Sequence, residues 1–192
     1  SCSLFTICGC GDHGNSDQTH FTKADSLTAT YLDLKDSMLE TWNTMINDDN
    51  QKIKSMHHLL HELKVSNPGL RDQLKSYEEQ LERLTLSRYT QKSMENTDVV
   101  EEYDFASNSL VSELVSLAES QTQFAYNTTL QKLVESIRTA DQRVDNYRQE
   151  YDRIATAFNQ FIDENKVWLK EIDHDSFMGK KPLFQMVAEE NQ

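Results

Sequence analysis

Glycine and proline are scarce in this chain, with five Gly and two Pro among 192 residues. A sheet protein turns about every eight to twelve residues and uses more of both, so the shortage argues against a β-rich fold. Cysteine is absent after position 10, so no disulfide staples the body of the chain. No apolar run reaches the roughly eighteen residues of a complete transmembrane helix. Positive charge is in deficit: 19 Lys and Arg against 32 Asp and Glu leave a net charge of -13. Such a surface is repelled by nucleic acid, and bare adhesion to an anionic membrane is disfavoured. The acidity reads first as solubility. There is no glycine-rich phosphate loop and no Gly-x-Ser-x-Gly elbow, and no set of residues amounts to a catalytic centre. The chain is therefore expected to be no enzyme and to need no cofactor.

What is present is a helical period. Between Leu130 and Leu169 apolar residues recur three and four positions apart, through Val134, Ile137, Val144, Tyr147, Tyr151, Ile154, Phe158, Phe161 and Trp168. Residues so spaced stack on one face, so the pattern predicts one uninterrupted amphipathic helix about 60 Å long. Such a rod needs neighbours to cover its stripe. A first helix is expected to begin near Ala24 to Leu27, capped by Asp25 or Ser26, and to carry Leu27, Tyr31, Leu34, Met38, Trp42, Met45, Ile53, Met56, Leu60 and Leu63. Its seam is interrupted at Asn47-Asp48-Asp49-Asn50. A kink, a wet layer or a polar contact would each account for the gap; a simple rotation of the stripe is the preferred expectation. Pro68 and Gly69 end this helix. A second helix carries Leu70, Leu74, Tyr77, Leu81 and Leu84 and fades near Gln91 to Asn96. A third runs from a cap at Asn96 to Asp98 through Tyr103, Leu110 and Leu114. Asn127 or Thr128 then caps the fourth.

The fold expected is all-α: an elongated, antiparallel four-helix bundle of up-down-up-down order, with two long and two shorter helices. Residues 1–9 read as the end of an apolar leader, 10–24 as a flexible tether, 25–172 as the bundle and 173–192 as an apolar and basic tail. Phe177, Met178, Leu183 and Phe184 are too many large apolar groups for an idle terminus. They are expected to fold back on a bundle end or to contact a partner.

Candidate chemistry is thin. His57 and His61 share a helical face and His58 lies between them, but the order is not His-Glu-x-x-His and no third ligand can be placed, so they read as solvated. Asp48/Asp49, Glu78/Glu79 and Glu101/Glu102 read as solvated surface. Arg138, Arg143, Arg148 and Arg153 recur every fifth residue, which walks around a helix, so they read as exposed ion pairs with neighbouring acids. At the amino terminus Cys2, Cys8 and Cys10 fall within ten residues. Ile7-Cys8-Gly9-Cys10, after an apolar run and before a polar stretch, resembles the lipobox of bacterial lipoproteins, in which the final Cys carries the lipid. Acyl chains on Cys10 would supply membrane affinity, about 0.8 kcal/mol per buried CH₂, that an acidic bundle lacks. A metal site from Cys8, Cys10 and His13, the stub of a membrane anchor, and a frayed terminus with incidental thiols are the alternatives.

One wider resemblance exists. Val144, Tyr147-Arg148, Tyr151, Phe158-Asn159 and Phe161-Ile162, with the tail Met178-Gly179-Lys180-Lys181-Pro182-Leu183-Phe184 and the pair Trp42 and Met45, resemble the LemA family of bacterial envelope proteins. The chain departs from that family at Gln51 to Leu59, where the family's paired Arg and its Pro are missing. The resemblance implies a membrane-tethered antiparallel helical bundle of the cell envelope, facing the periplasm or exterior, held through a lipid anchor, without a settled activity. On this basis the expected role is non-enzymatic contact with an envelope protein of unknown identity. The alternative is a sensor that holds a small ligand between helices near Asn47 to Asn50. A polar-lined cavity there would favour the alternative, and a closed core the first.

Overall fold

The computed structural model describes residues 22–172 and 179–185. All regular structure among the described residues is helical, in five α-helices of which four are long. Helix α1 (Lys23–Ser66) begins one residue earlier than the start signals imply, because Thr22 is its cap. The Thr22 hydroxyl accepts from the Asp25 amide at 3.2 Å, and the Asp25 carboxylate accepts from the Thr22 amide at 2.8 Å. This reciprocal pair satisfies two backbone donors that would otherwise be orphaned. Asp25 thus serves the cap from inside the helix and is not the cap itself.

Helix α1 ends where Pro68 forbids continuation, and Asn67 accepts from the Gly69 amide at 3.2 Å. Helix α2 (Arg71–Leu86) follows, then a connection through Asn96 that buries Tyr89 and Met94. The helix stops at Leu86 and does not fade through Gln91, because the chain turns to carry Arg88 and Tyr89 inward. Helix α3 (Thr97–Glu119) is capped by Asn96, which accepts from the Asp98 amide at 3.1 Å. Helix α4 (Thr128–Glu164) is capped by Asn127, which accepts from the Thr129 and Leu130 amides at 3.0 and 3.1 Å.

The expected continuity from Leu130 to Leu169 does not hold. Asn165 takes φ -117° and ψ 24°, and its side-chain amide donates to the Phe161 carbonyl at 2.9 Å, the same oxygen that accepts its backbone N–H. A side chain that competes for the helix's own carbonyl ends the helix there. The chain resumes as α5 (Lys166–Ile172), where Trp168 meets Phe161 edge-on at 6.2 Å and Leu169 is buried.

Contacts between helices fix their directions. Along α1 and α4, Tyr31 meets Phe158, Trp42 meets Tyr151, Asp48 meets Arg143 and Ser55 meets Ser136. One number rises as the other falls, so the two longest helices run antiparallel. At 44 and 37 residues they span about 66 and 55 Å, while α2 and α3, at 16 and 23, span about 24 and 35 Å. The shorter helices pack beside the C-terminal part of α1, through Lys64–Glu78 and Tyr103–Asp49. There Met56, Leu59, Leu60 and Leu63 close on Leu74, Leu81, Leu110, Leu114, Leu130 and Ile137, each at most 1% exposed. Burying each such side chain contributes roughly 1.5–3 kcal/mol. Residues 179–185 lie over the other part, against Trp42 and Tyr151.

Candidate functional site: a charged layer at mid-height

On α1 the positions Met45, Asp49, Lys52, Ile53 and Met56 form one buried strip. Asp49 and Lys52 occupy seam positions where the period asks for an apolar side chain, and they are 9% and 3% exposed. The stripe does not rotate at Asn47 to Asn50; it continues as a polar contact between helices. Burial of two charges costs several kcal/mol per ion unless partners surround them, and the partners come from every neighbouring element.

Lys52 Nζ donates to Ser107 Oγ of α3 at 3.0 Å and to Asp141 of α4 at 3.2 Å, and lies 3.5 Å from Asp49. Asp49 accepts from the Tyr103 hydroxyl at 2.7 Å and pairs with Arg88 at 3.1 Å. One turn away, Arg148 of α4 grips Asp104 of α3 with both terminal nitrogens at 2.7 Å and donates to the Tyr89 hydroxyl at 3.0 Å. Arg143 pairs with Asp48 at 2.7 Å. The Asp48/Asp49 pair, expected as solvated surface, is thus turned into the interior and its rim. Arg148, expected on an exposed face, is 6% exposed. Of that arginine series only Arg153 pairs locally, with Glu150; Arg138 reaches across to Glu119.

These side chains border a cavity of about 70 Å³, lined by Asp49, Lys52, Arg88, Tyr89, Tyr103, Asp104, Ser107, Asp141 and Arg148, with Met45, Ile46, Asn108 and Val144 completing the wall. Three cations and three carboxylates line it, so its charges balance. Burial pushes the Tyr103 phenol far above its ordinary value, and the charge of Asp49 beside it adds to the rise. Burial raises Tyr89 as well, against the opposing pull of Arg148. Both phenols stay protonated at neutral pH. Burial works against the charge of Arg148, but its bonds to Asp104 and the Tyr89 phenol outweigh this and hold it cationic. The Arg148 Nε and the Asp48 Oδ2 are buried with no hydrogen-bond partner in the protein. Such groups ask for water or a ligand.

Chemically the layer holds donors and acceptors of both signs around a small space. Among the described residues no group of three His, Cys, Asp or Glu is placed to hold a metal ion. His57, His58 and His61 are all exposed on α1, as their polar setting implied. Cys10, Phe177 and Met178 lie outside the described residues, as do Cys8 and His13. Leu183 and Phe184 are half-buried against the chain's own core, on the flank of α4 rather than at an end. The layer carries a sequence signal: Asp49 sits four after Met45 and four before Ile53, in register with the seam. Tyr103 and Ser107 repeat the same spacing on α3. Compared with models of known protein families, with curated proteins and with solved structures, the chain matches none.

Proposed function

We propose that this chain is a membrane-tethered helical bundle that works by binding, and that it holds a small polar molecule in the charged cavity at mid-height. The reading takes α1 to α4 as an up-down-up-down bundle with two long and two shorter members. It takes Cys10 as the lipidated residue that keeps the bundle in the cell envelope, as the lipobox-like Ile7 to Cys10 and the LemA-like blocks imply. The observation that carries it is the polar-lined cavity beside Asp49, at the place where the apolar seam is broken. The competing role, contact of the tail with an envelope protein, finds Leu183 and Phe184 already engaged with the chain's own helices.

Size and charge define the ligand class. A cavity of about 70 Å³ accommodates two or three waters, or about five non-hydrogen atoms. Balanced charge favours a molecule that is neutral overall and carries both signs, the class of a glycine-sized zwitterion. At the ceiling of about 1.5 kcal/mol per atom such a ligand reaches micromolar affinity at best. Glycine, and separately methylammonium and formate, are titrated from the micromolar to the millimolar range into isotopically labelled protein. The amide signals of Tyr103, Ser107 and Val144 are followed. Saturable shifts with glycine are expected there and are expected to vanish in Ser107→Leu, which fills the cavity. No shift with any of the three probes sinks the reading.

A further inference from the structure

Two antiparallel helices cannot cover each other completely. Where α1 and α4 lack the cover of α2 and α3, the chain lays its own residues 179–185 over them. The manner of attachment is that of a bound peptide. The Asn159 side-chain amide accepts from the Lys181 N–H at 2.7 Å and donates to the Lys181 carbonyl at 2.9 Å, so one side chain grips both polar groups of a residue as a neighbouring strand would. Asp152 accepts from the Phe184 N–H at 2.7 Å, and Asp163 pairs with Lys180 at 2.6 Å. Asp152, Asn159 and Asp163 are spaced seven and four apart, hence on one face of α4. The Phe184 ring lies in an aromatic box, stacked on Trp42 at 6.3 Å and edge-on to Tyr89 and Tyr151 at 5.9 and 5.5 Å, with the Arg148 guanidinium 4.9 Å from its centre. Pro182 has no N–H to leave unsatisfied and restricts the unbound segment, which lowers the entropy lost on docking.

We propose that this groove is a peptide site that the tail of a second copy of this chain can occupy, so that two copies exchange tails reciprocally. The known occupant defines the chemistry: a lysine pair, a proline, an apolar residue and an aromatic anchor, in extended form. Two features favour exchange. The attachment is non-covalent and made by one short segment, so release leaves α1 and α4 packed on each other. Six residues separate Ile172 from Gly179 in the sequence, a length whose full extension is about 20 Å. Reciprocal exchange makes a closed two-fold dimer with every groove filled. The proposal stands whether or not the cavity takes a ligand, since it uses the groove alone.

The test mixes two full-length variants. One, Asp152→Ala with Asn159→Ala, keeps its tail and loses the groove's backbone grips; the other, Phe184→Ala, keeps its groove and loses its anchor. Mass is measured by light scattering after gel filtration, with circular dichroism as the control for folding. Each variant alone is expected at the monomer mass of 22.3 kDa. The mixture is expected to give a species of about twice that mass, which disappears when Phe184→Ala is introduced into both partners. A mixture that stays monomeric while both variants are helical overturns the proposal. Loss of helical signal in Phe184→Ala overturns it as well, because the tail would then be an indispensable part of the core and not an exchangeable ligand.

Discussion

Replacing Arg148 by Met tests whether the buried charges form a working network. Arg148 makes two charge-assisted bonds to Asp104 and one to Tyr89, and its guanidinium lies over the rings of Tyr89 and Phe184. Methionine fills much of the same volume but donates to none of them. The Tyr89 hydroxyl, on a residue 7% exposed, loses a donor, at a cost of about 1–3 kcal/mol. Asp104 keeps its charge without its partner, but its side chain is 32% exposed, so water meets part of the loss. Breaking a fully buried pair costs about 3–5 kcal/mol. With Asp104 partly wet and the apolar stem replaced, the sum comes to about 3 kcal/mol. For a chain of this size that is roughly a 6–12 °C drop in melting temperature. Urea and thermal unfolding of Arg148→Met, Asp104→Asn and the double variant, followed by circular dichroism, give the full cycle. The double variant is expected to be less destabilised than the sum of the singles, with about 2 kcal/mol of coupling. A loss below about 1 kcal/mol in Arg148→Met, or strict additivity, would show that the pair is a wet surface contact and refute the reasoning.

Tyr103 is raised by burial and by Asp49, so its folded value lies above its unfolded one and the stability it contributes is complete below about pH 10. That stability is expected to drain away as pH rises beyond this point, and Tyr103→Phe is expected to flatten the slope of urea-unfolding free energy above about pH 10. Tyr151, pushed up to about 12 chiefly by burial, adds to the same slope. Gln185→Gly removes a left-handed side chain and is expected to tighten the closed tail by about 1 kcal/mol, read as slower hydrogen exchange of the Phe184 amide. Unchanged exchange there would show that the strain is relieved elsewhere. Cys10→Ala is expected to abolish palmitate labelling and membrane retention; label and retention equal to wild type would remove the proposed lipid anchor.

The helices were legible because their period is regular and their caps are ordinary: Asn96 and Asn127 serve where a short polar side chain precedes an apolar run. The break at Asn165 was not, because the apolar spacing continues through Trp168 and only the side-chain bond to the Phe161 carbonyl stops the helix. The charged layer was visible only as a gap in a stripe. Asp49 and Lys52 are burdens when read one helix at a time, and their partners Ser107, Asp141, Tyr103 and Arg88 lie 39 to 89 residues away in the chain. Spacing along one helix reports which residues face inward. It carries no information about which polar groups from other helices will meet them. The tail was legible as apolar and therefore docked. Its grip by Asp152 and Asn159 was not, because backbone recognition leaves no mark on the residues recognised.

Leucine tolerates almost any greasy neighbour, so a seam of leucines alone would let α1 slide against α4 by a whole turn of about 5.4 Å with little protest. Lys52 and Asp141 do not permit that: shifted by a turn, the buried ammonium of Lys52 would lose the α4 carboxylate that answers its charge. The ions therefore act as an index mark that sets the helices at one height. Inserting a single extra turn in α1 between Asp49 and Asn67 should be ruinous, whereas the same insertion ahead of Tyr31 should pass almost unnoticed.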